Sequence, residues 1–401
     1  MMQDESTSQQ TRQIGEGGSR WSLARVLIAQ GFTSHGANLM MLGIFFYMHH
    51  VYQWNSRQNL LLSCAQGVVY VTGALLANKL SSAWGRRGLL KRLQVGMVVL
   101  AIGLFYVRGA GIVTAGLLAY TLLCATQWPA MESLVSSGAS AKELSKRIAI
   151  YNLMWSGVGA VTLALVGTIL AHDPSWMFLL AAAAHAMTGV MLLGGEKDPP
   201  PTHAQATPDP ELLPMRTLAM QLSRVALPAT YAVSYSLNAL MPTLPLIKAL
   251  PQARQTVVAS LWMVGRWLAF VFLGVTTWWH VRPRAMLAWA VVLLGSFLMV
   301  TLWGNWPAMI VGQLLLGVAM GWIYSGSLYF GMVLSDGSTE HGGYHEALIG
   351  LGSILGPGIG AAAEFLGNGT QTVGIKAVAG LIFISVLAAA AVSLQSRRKA
   401  G

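Results

Sequence analysis

The run YHEALIGLGSILGPGIG at 344–360 places a glutamate at the mouth of an otherwise apolar stretch. A carboxyl group close to hydrocarbon is costly, so Glu346 marks a pathway, a proton relay or a structural ion pair. Counted at 100° per residue, Glu346, Ser353, Gly360 and Glu364 share one helix face. Glu132, which follows Gln127-Trp128-Pro129, is a second acid of the same kind. For both acids the alternative is a helix-end cap or a pair with a nearby Arg or Lys. Arg266, in SLWMVGRWLAF, is the corresponding cation: it could be the counter-ion of a bound solute, but a structural pair with one of the acids is the expected role. His35 and His185 could carry protons near neutral pH. His35 is the candidate of the two, because Gln30, Ser34 and Asn38 recur every four residues and lay a polar stripe beside it. His185 reads as a packing histidine.

A second stripe, Tyr231, Ser234, Tyr235 and Asn238, precedes Pro242 and Pro245, which should break the helix that carries it. No phosphate-cradling Gly-rich loop, metal-spaced His and Cys cluster, or nucleophile with a neighbouring base is present along the chain. No enzyme, cofactor or metal is therefore expected. Cys64 and Cys124 both lie in apolar runs and read as buried free thiols rather than a disulfide. Asn368-Gly369-Thr370 matches a glycosylation sequon, which carries little weight by itself.

The elements that must position these residues are set by composition. Of 401 residues 54% are hydrophobic and 10% charged, and the mean hydropathy is +0.56. These are the proportions of a polytopic membrane protein rather than a soluble domain. Stretches near the ~20 residues that cross a bilayer fall at 23–48, 58–78, 93–108, 111–135, 148–171, 175–194, 219–247, 255–279, 285–303, 306–334, 344–367 and 372–394. An all-α protein of twelve transmembrane helices is expected. The third and fourth spans are divided only by Arg108-Gly109-Ala110-Gly111.

Net charge is +11, and the placement of the basic residues decides its meaning. If the N-terminus lies inside, nineteen of the 25 Lys and Arg fall on the cytoplasmic side. Four, Arg57, Arg108, Lys248 and Arg254, fall on the other side, while Arg266 and Lys376 lie within spans. This asymmetry is the positive-inside pattern and puts both termini in the cytoplasm of a plasma or inner membrane. Nucleic acid is excluded as a partner; the lipid bilayer is one. The polar N-terminus has no early apolar segment, so no cleaved signal is expected.

GGEKDPPPTHAQATPDPELLPMR, between the sixth and seventh spans, is Pro-rich and polar and reads as a linker. The expected organisation is a cytoplasmic tail at 1–22, a six-helix half at 23–194, a cytoplasmic linker at 195–218, a second six-helix half at 219–394 and a tail at 395–401. The halves show a faint repeat. Arg25-Val26 and Asn38-Leu39-Met40-Met41 are echoed by Arg224-Val225 and Asn238-Ala239-Leu240-Met241. Tyr151 and Tyr344 are each followed by glycine at +6, +8 and +16.

Two six-helix halves, a central linker and a basic loop after the second span resemble the major facilitator superfamily of secondary transporters. The loop motif of that family, Gly-x-Leu-x-Asp-Arg-x-Gly-Arg-Arg, is similar to Gly73-Ala74-Leu75-Leu76-Ala77-Asn78-Lys79 followed by Gly85-Arg86-Arg87. Asn78 stands nearest the place of the aspartate, so the charge relay that this acid supplies in the family lacks its carboxylate here. The resemblance implies alternating access by two halves, with a small molecule as partner and a central cavity lined by helices 1, 4, 7 and 10. It thereby nominates Gln30, Ser34, His35, Asn38, Gln127, Trp128, Tyr231, Tyr235, Asn238, Trp322 and Tyr324. Protons are the expected coupling partner, with Glu346, Glu132 and His35 as candidate carriers. Gly85, Arg86, Arg87 and Arg266 are gating or structural candidates. So are Gly356 and Pro357, which resemble the Gly-Pro element of many exporters, or serve only tight packing of Gly352-x-x-x-Gly356-x-x-x-Gly360. The alternative function is a transport-inactive sensor or scaffold on the same fold. Many Trp, Tyr and Met with few intramembrane charges point to an apolar or aromatic solute rather than a polyanion.

Overall fold

The computed structural model describes residues 23–137, 139, 141–193, 213–335 and 339–400, and within them the chain is helical without a strand. The first helix, α1, covers 23–52 and is interrupted by a π-helical turn at Leu39–Gly43 before continuing as Ile44–Tyr52. Then follow α2 (Ser56–Trp84), α3 (Arg86–Tyr106), α4 (Ala110–Ser136), α5 (Ala141–His172) and α6 (Trp176–Leu192). After the undescribed stretch come α7 (Leu213–Leu240), α8 (Gln252–Val275), α9 (Ala285–Leu302), α10 (Trp306–Ser335), α11 (Thr339–Leu366) and α12 (Gln371–Ala400). Among the described residues nine helices are long and apolar enough to cross a membrane. α6 is apolar but shorter. The 1–22 tail lies outside the described residues, as does the expected linker up to residue 212.

Several ends differ from the apolar runs, for physical reasons. α2, α5 and α12 extend beyond their apolar cores because polar residues continue a helix into the interface, where hydropathy cannot register it. α7 stops at Leu240 rather than 247: Pro242 has no N–H to continue the ladder, and the chain turns through a 3₁₀ segment Met241–Thr243 and a short helix Pro245–Lys248. The division between α3 and α4 falls where expected, at an extended Val107 and a left-handed Gly109. Gly85, the whole connection between α2 and α3, has φ of 70°, a conformation strained for any residue with a Cβ.

Close helix packing places the interior side chains. A Cβ on Gly352 would come within 2.9 Å of the Ala232 nitrogen, and one on Gly356 within 2.6 Å of the Ala232 Cα, so both glycines let α11 touch the backbone of α7. Gly360, the third of the spaced glycines, faces Val378 of α12 and Leu60 of α2 instead. Pro357 lies inside α11, which stays helical through it.

The basic loop grips a helix end. Arg86 Nη1 donates to the Ser133 carbonyl at 3.2 Å and to the Ser133 and Ser137 hydroxyls at 3.0 and 2.5 Å. Arg147 of α5 donates to the Ser137 carbonyl at 2.8 Å. Two cations therefore sit on the last carbonyls at the C-terminus of α4. At the opposite end of the bundle, Ser56 donates to Glu364 at 2.7 Å and Asn59 to the Ala239 carbonyl at 3.2 Å.

Candidate functional site

α1, α2, α4, α5, α7, α8, α10 and α11 converge on a cavity of about 120 Å³. From α1 it is lined by Gln30, Ser34 and Asn38, the polar stripe read from the sequence. Gln30 donates to the Ser34 hydroxyl at 3.2 Å, and Asn38 to the Ser34 carbonyl at 2.7 Å, so the stripe is internally ordered. The π-helical turn begins immediately after Asn38, at the same depth. Trp128 lines the cavity from α4, Tyr231, Ser234 and Tyr235 from α7, and Tyr324 from α10.

Four nominated residues lie outside the cavity lining. His35 turns to α5, its Nδ1 2.7 Å from the Thr162 hydroxyl. Gln127 is fully buried behind the cavity, accepting from Thr33 at 3.0 Å and Gln94 at 2.8 Å. Asn238 is buried and donates to the Ser234 carbonyl at 2.8 Å. Trp322 stacks on Trp289 with ring centroids 5.2 Å apart, in a separate cluster with Leu273 and Phe330.

The two acids read separately from the sequence come together. Carboxylate oxygens of Glu132 and Glu346 and a ring nitrogen of His345 all lie within 4.8 Å of one another. Each of these residues is 3% exposed. Glu346 lines the cavity wall and accepts a short hydrogen bond from the Tyr70 hydroxyl of α2. Glu132 accepts from the Tyr324 hydroxyl at 3.4 Å, and His345 Nδ1 lies 3.1 Å from the Ser327 hydroxyl. This donor set could take up a proton or a small cation. No metal was expected because no ligand spacing exists along the chain; the fold assembles these donors from α4 and α11.

Arg266 also lines the cavity, 2% exposed. It forms no ion pair among the described residues, contrary to the expected pairing with an acid. Its Nη2 donates to the Tyr231 hydroxyl at 2.7 Å, and its guanidinium carbon lies 4.4 Å from the Trp155 ring centroid and 5.0 Å from that of Tyr324. An aromatic cage, not a carboxylate, surrounds the cation.

Sequence reasoning passed over Tyr70, Trp155, Trp262 and His345. Tyr70 sits on a helix the resemblance does not count among those lining the cavity, and tryptophans in apolar runs look like packing. His345 carried a signal, since it immediately precedes Glu346 in an apolar helix.

A profile of the Major Facilitator Superfamily matches residues 27–357. The fold is similar to that of the nucleoside transporter NupG, with a TM-score of 0.68 at 12% identity over 92% of this chain and 98% of that one. A point mutant of NupG gives a TM-score of 0.70 at 12% identity, with 92% and 99% covered. The human organic anion transporter MFSD10 (TETRAN) gives 0.61 at 14% identity, again over 92% and 99%. At such identities the likeness is one of fold. Comparison with curated protein sequences finds no match.

Proposed function

This chain belongs to the Major Facilitator Superfamily, and from that premise we propose that it is a proton-coupled secondary transporter moving a small molecule through the central cavity. As a member of the family it is a multi-pass membrane transporter and not an enzyme. Proton coupling and the roles of individual residues are the proposed part. So are two six-helix halves working by alternating access and a plasma-membrane location with both termini in the cytoplasm.

One observation carries the coupling: Glu132 meets Glu346, which lines the cavity wall, in a buried site with oxygens within 4.8 Å. Two carboxylates so close cannot both be charged without large repulsion, so the pair naturally holds a proton that hydration can release. The groups facing the pair are Tyr70 from α2, Tyr324 from α10 and His345 beside Glu346 on α11. Tyr151, Tyr231, Tyr235 and Arg266 complete the surrounding wall. Two phenol hydroxyls already hold carboxylate oxygens, which favours a proton over a metal ion as occupant. His35 lies away from this cluster and drops out of the proposal. Arg86 serves the gate through the C-terminus of α4, whose last turns carry Glu132, and Arg87 is assigned to the same gate by its place in the loop.

The test uses proteoliposomes and a solute identified by uptake or resistance profiling. Glu346→Gln keeps size and hydrogen bonding but cannot ionise. We expect it to abolish accumulation driven by a pH gradient while solute exchange survives. Unchanged pH-driven accumulation in Glu346→Gln and in Glu132→Gln would overturn the coupling. Binding without flux in the wild type would instead make the protein a sensor.

A further inference from the structure

We infer that the solute is a planar organic monoanion, in chemical class an aromatic monocarboxylate, with its charged end on Arg266 and its flat body against the cavity's aromatic side chains. The inference takes from the transporter reading only that the cavity is the solute's site.

A guanidinium carries its charge at any physiological pH and offers five N–H donors. At 2% exposure Arg266 has little water to satisfy them. One donor reaches the Tyr231 hydroxyl, and the buried Nε has no partner. The rings of Trp155, Tyr324, Tyr231 and Phe270 surround the cation with centroids at 4.4 to 5.7 Å. Ring faces attract a cation but accept its hydrogen bonds poorly, so the cage holds Arg266 in place without neutralising it. A buried cation that forms no ion pair among the described residues is costly, and a carboxylate accepting from the guanidinium N–H groups at the cavity wall would supply that pair.

The rest of the wall selects the body and the charge. Trp128, Trp155, Trp262, Tyr235 and Tyr324 present flat apolar surface around the cavity, which suits an aromatic ring better than a flexible chain or a sugar. A cationic solute would meet Arg266. A dianion would bring a second charge toward Glu346, which lines the same wall. A single negative charge fits both. Tyr324 joins the two features, with its ring on Arg266 and its hydroxyl on Glu132. A monoanion arriving with one proton for the acid pair would add no net charge to the buried site.

The experiment is equilibrium binding to the purified full-length chain in lipid nanodiscs at neutral pH, by radioligand or tryptophan quenching. The probes are benzoate, 1-naphthoate and indole-3-acetate, each beside its primary amide and the amine of matching skeleton. At least one acid is expected to bind about tenfold or more tighter than its amide, as a charge-assisted hydrogen bond implies, with the amines not binding. Amides equal to acids, amines preferred, or no binding across the panel would each overturn the inference. Arg266→Gln should erase the preference for acid over amide. Should that variant not insert, Arg266→Lys, which keeps the charge and loses the planar fork, should reduce the preference, and an unreduced preference there would count against the assignment. The isostere comparison on the wild type decides independently of either variant. Binding at equilibrium needs no flux, so loss of the anion preference leaves the proton coupling standing, and normal pH-driven transport in Glu346→Gln leaves the anion site standing.

Discussion

His185 is fully buried, with Nε2 2.5 Å from the Tyr120 hydroxyl and Nδ1 2.8 Å from the Gln94 amide oxygen. Gln94 in turn donates to Gln127, which accepts from Thr33, so α1, α3, α4 and α6 are joined behind the cavity by side chains that satisfy one another. Such a network specifies packing and leaves no donor free for a solute. His185→Leu should therefore lower the thermal unfolding midpoint, since a buried polar group left unpaired costs about 1–3 kcal/mol, while the pH dependence of transport stays that of the wild type. A changed pH profile at normal stability would make His185 part of the coupling. The sequence marked this histidine as packing because it lacks the polar stripe that runs beside His35. It marked Glu346, Glu132 and Arg266 for the opposite reason, since an ionisable group in an apolar run is conspicuous. Their partners were not legible. Whether Arg266 meets an acid or a ring depends on how α5, α7, α8 and α10 pack, and Trp155, its closest ring, lies 111 residues away in the chain.

The helix ends and helix contacts set the next scale. Arg86 and Arg147 converge on the last carbonyls of α4, where the helix dipole also favours a cation. Arg86→Gln should cost about 1–2 kcal/mol in stability, and it should slow transport more than it lowers abundance, because the same helix end positions Glu132. Equal losses in transport and abundance would limit Arg86 to a structural clamp. The sequence pointed to Arg86 through the eroded loop motif without fixing its partner; Arg147, outside any motif, had no signal. Gly356 sets the approach of α11 to α7 in the same fashion. Gly356→Val would press a branched side chain onto the Ala232 backbone, an overpacking that typically costs about 1–3 kcal/mol. Lower yield and lower thermal stability are the expected result, with Gly360→Val milder, because Gly360 faces only the yielding side chains of Val378 and Leu60.

Across the whole molecule, the order of helices was legible because each apolar run must bury its own backbone bonds within the bilayer. Their mutual arrangement was not, since glycine spacing shows that helices approach closely without saying which ones. The end of the bundle bearing the 53–55 and 367–370 turns is tied by bonds between the segments before residue 193 and those after 213. Ser56 donates to Glu364, Asn59 to the Ala239 carbonyl, and Thr256 to the Ala164 carbonyl at 3.0 Å, while the Thr256 hydroxyl accepts from the Gly167 N–H at 2.7 Å. On the proposed topology, with both termini in the cytoplasm, this is the outer end. Reporter fusions in the 249–251 turn should accordingly register the outside, and fusions at 195–212 the cytoplasm. If these bonds hold the outer end shut, then Asn59→Leu with Thr256→Val removes polar links across it while keeping apolar volume. In a background of Cys64→Ser and Cys124→Ser, with Ser34→Cys as a reporter on the cavity wall, an impermeant maleimide added from outside should label slowly. The double substitution should speed that labelling severalfold, as the closed state gives up a conformational preference built from a few bonds of about 0.5–1.5 kcal/mol each. Labelling that stays slow, with the fold intact by thermal unfolding, would show that helix packing alone closes the outer end and that these bonds only decorate it.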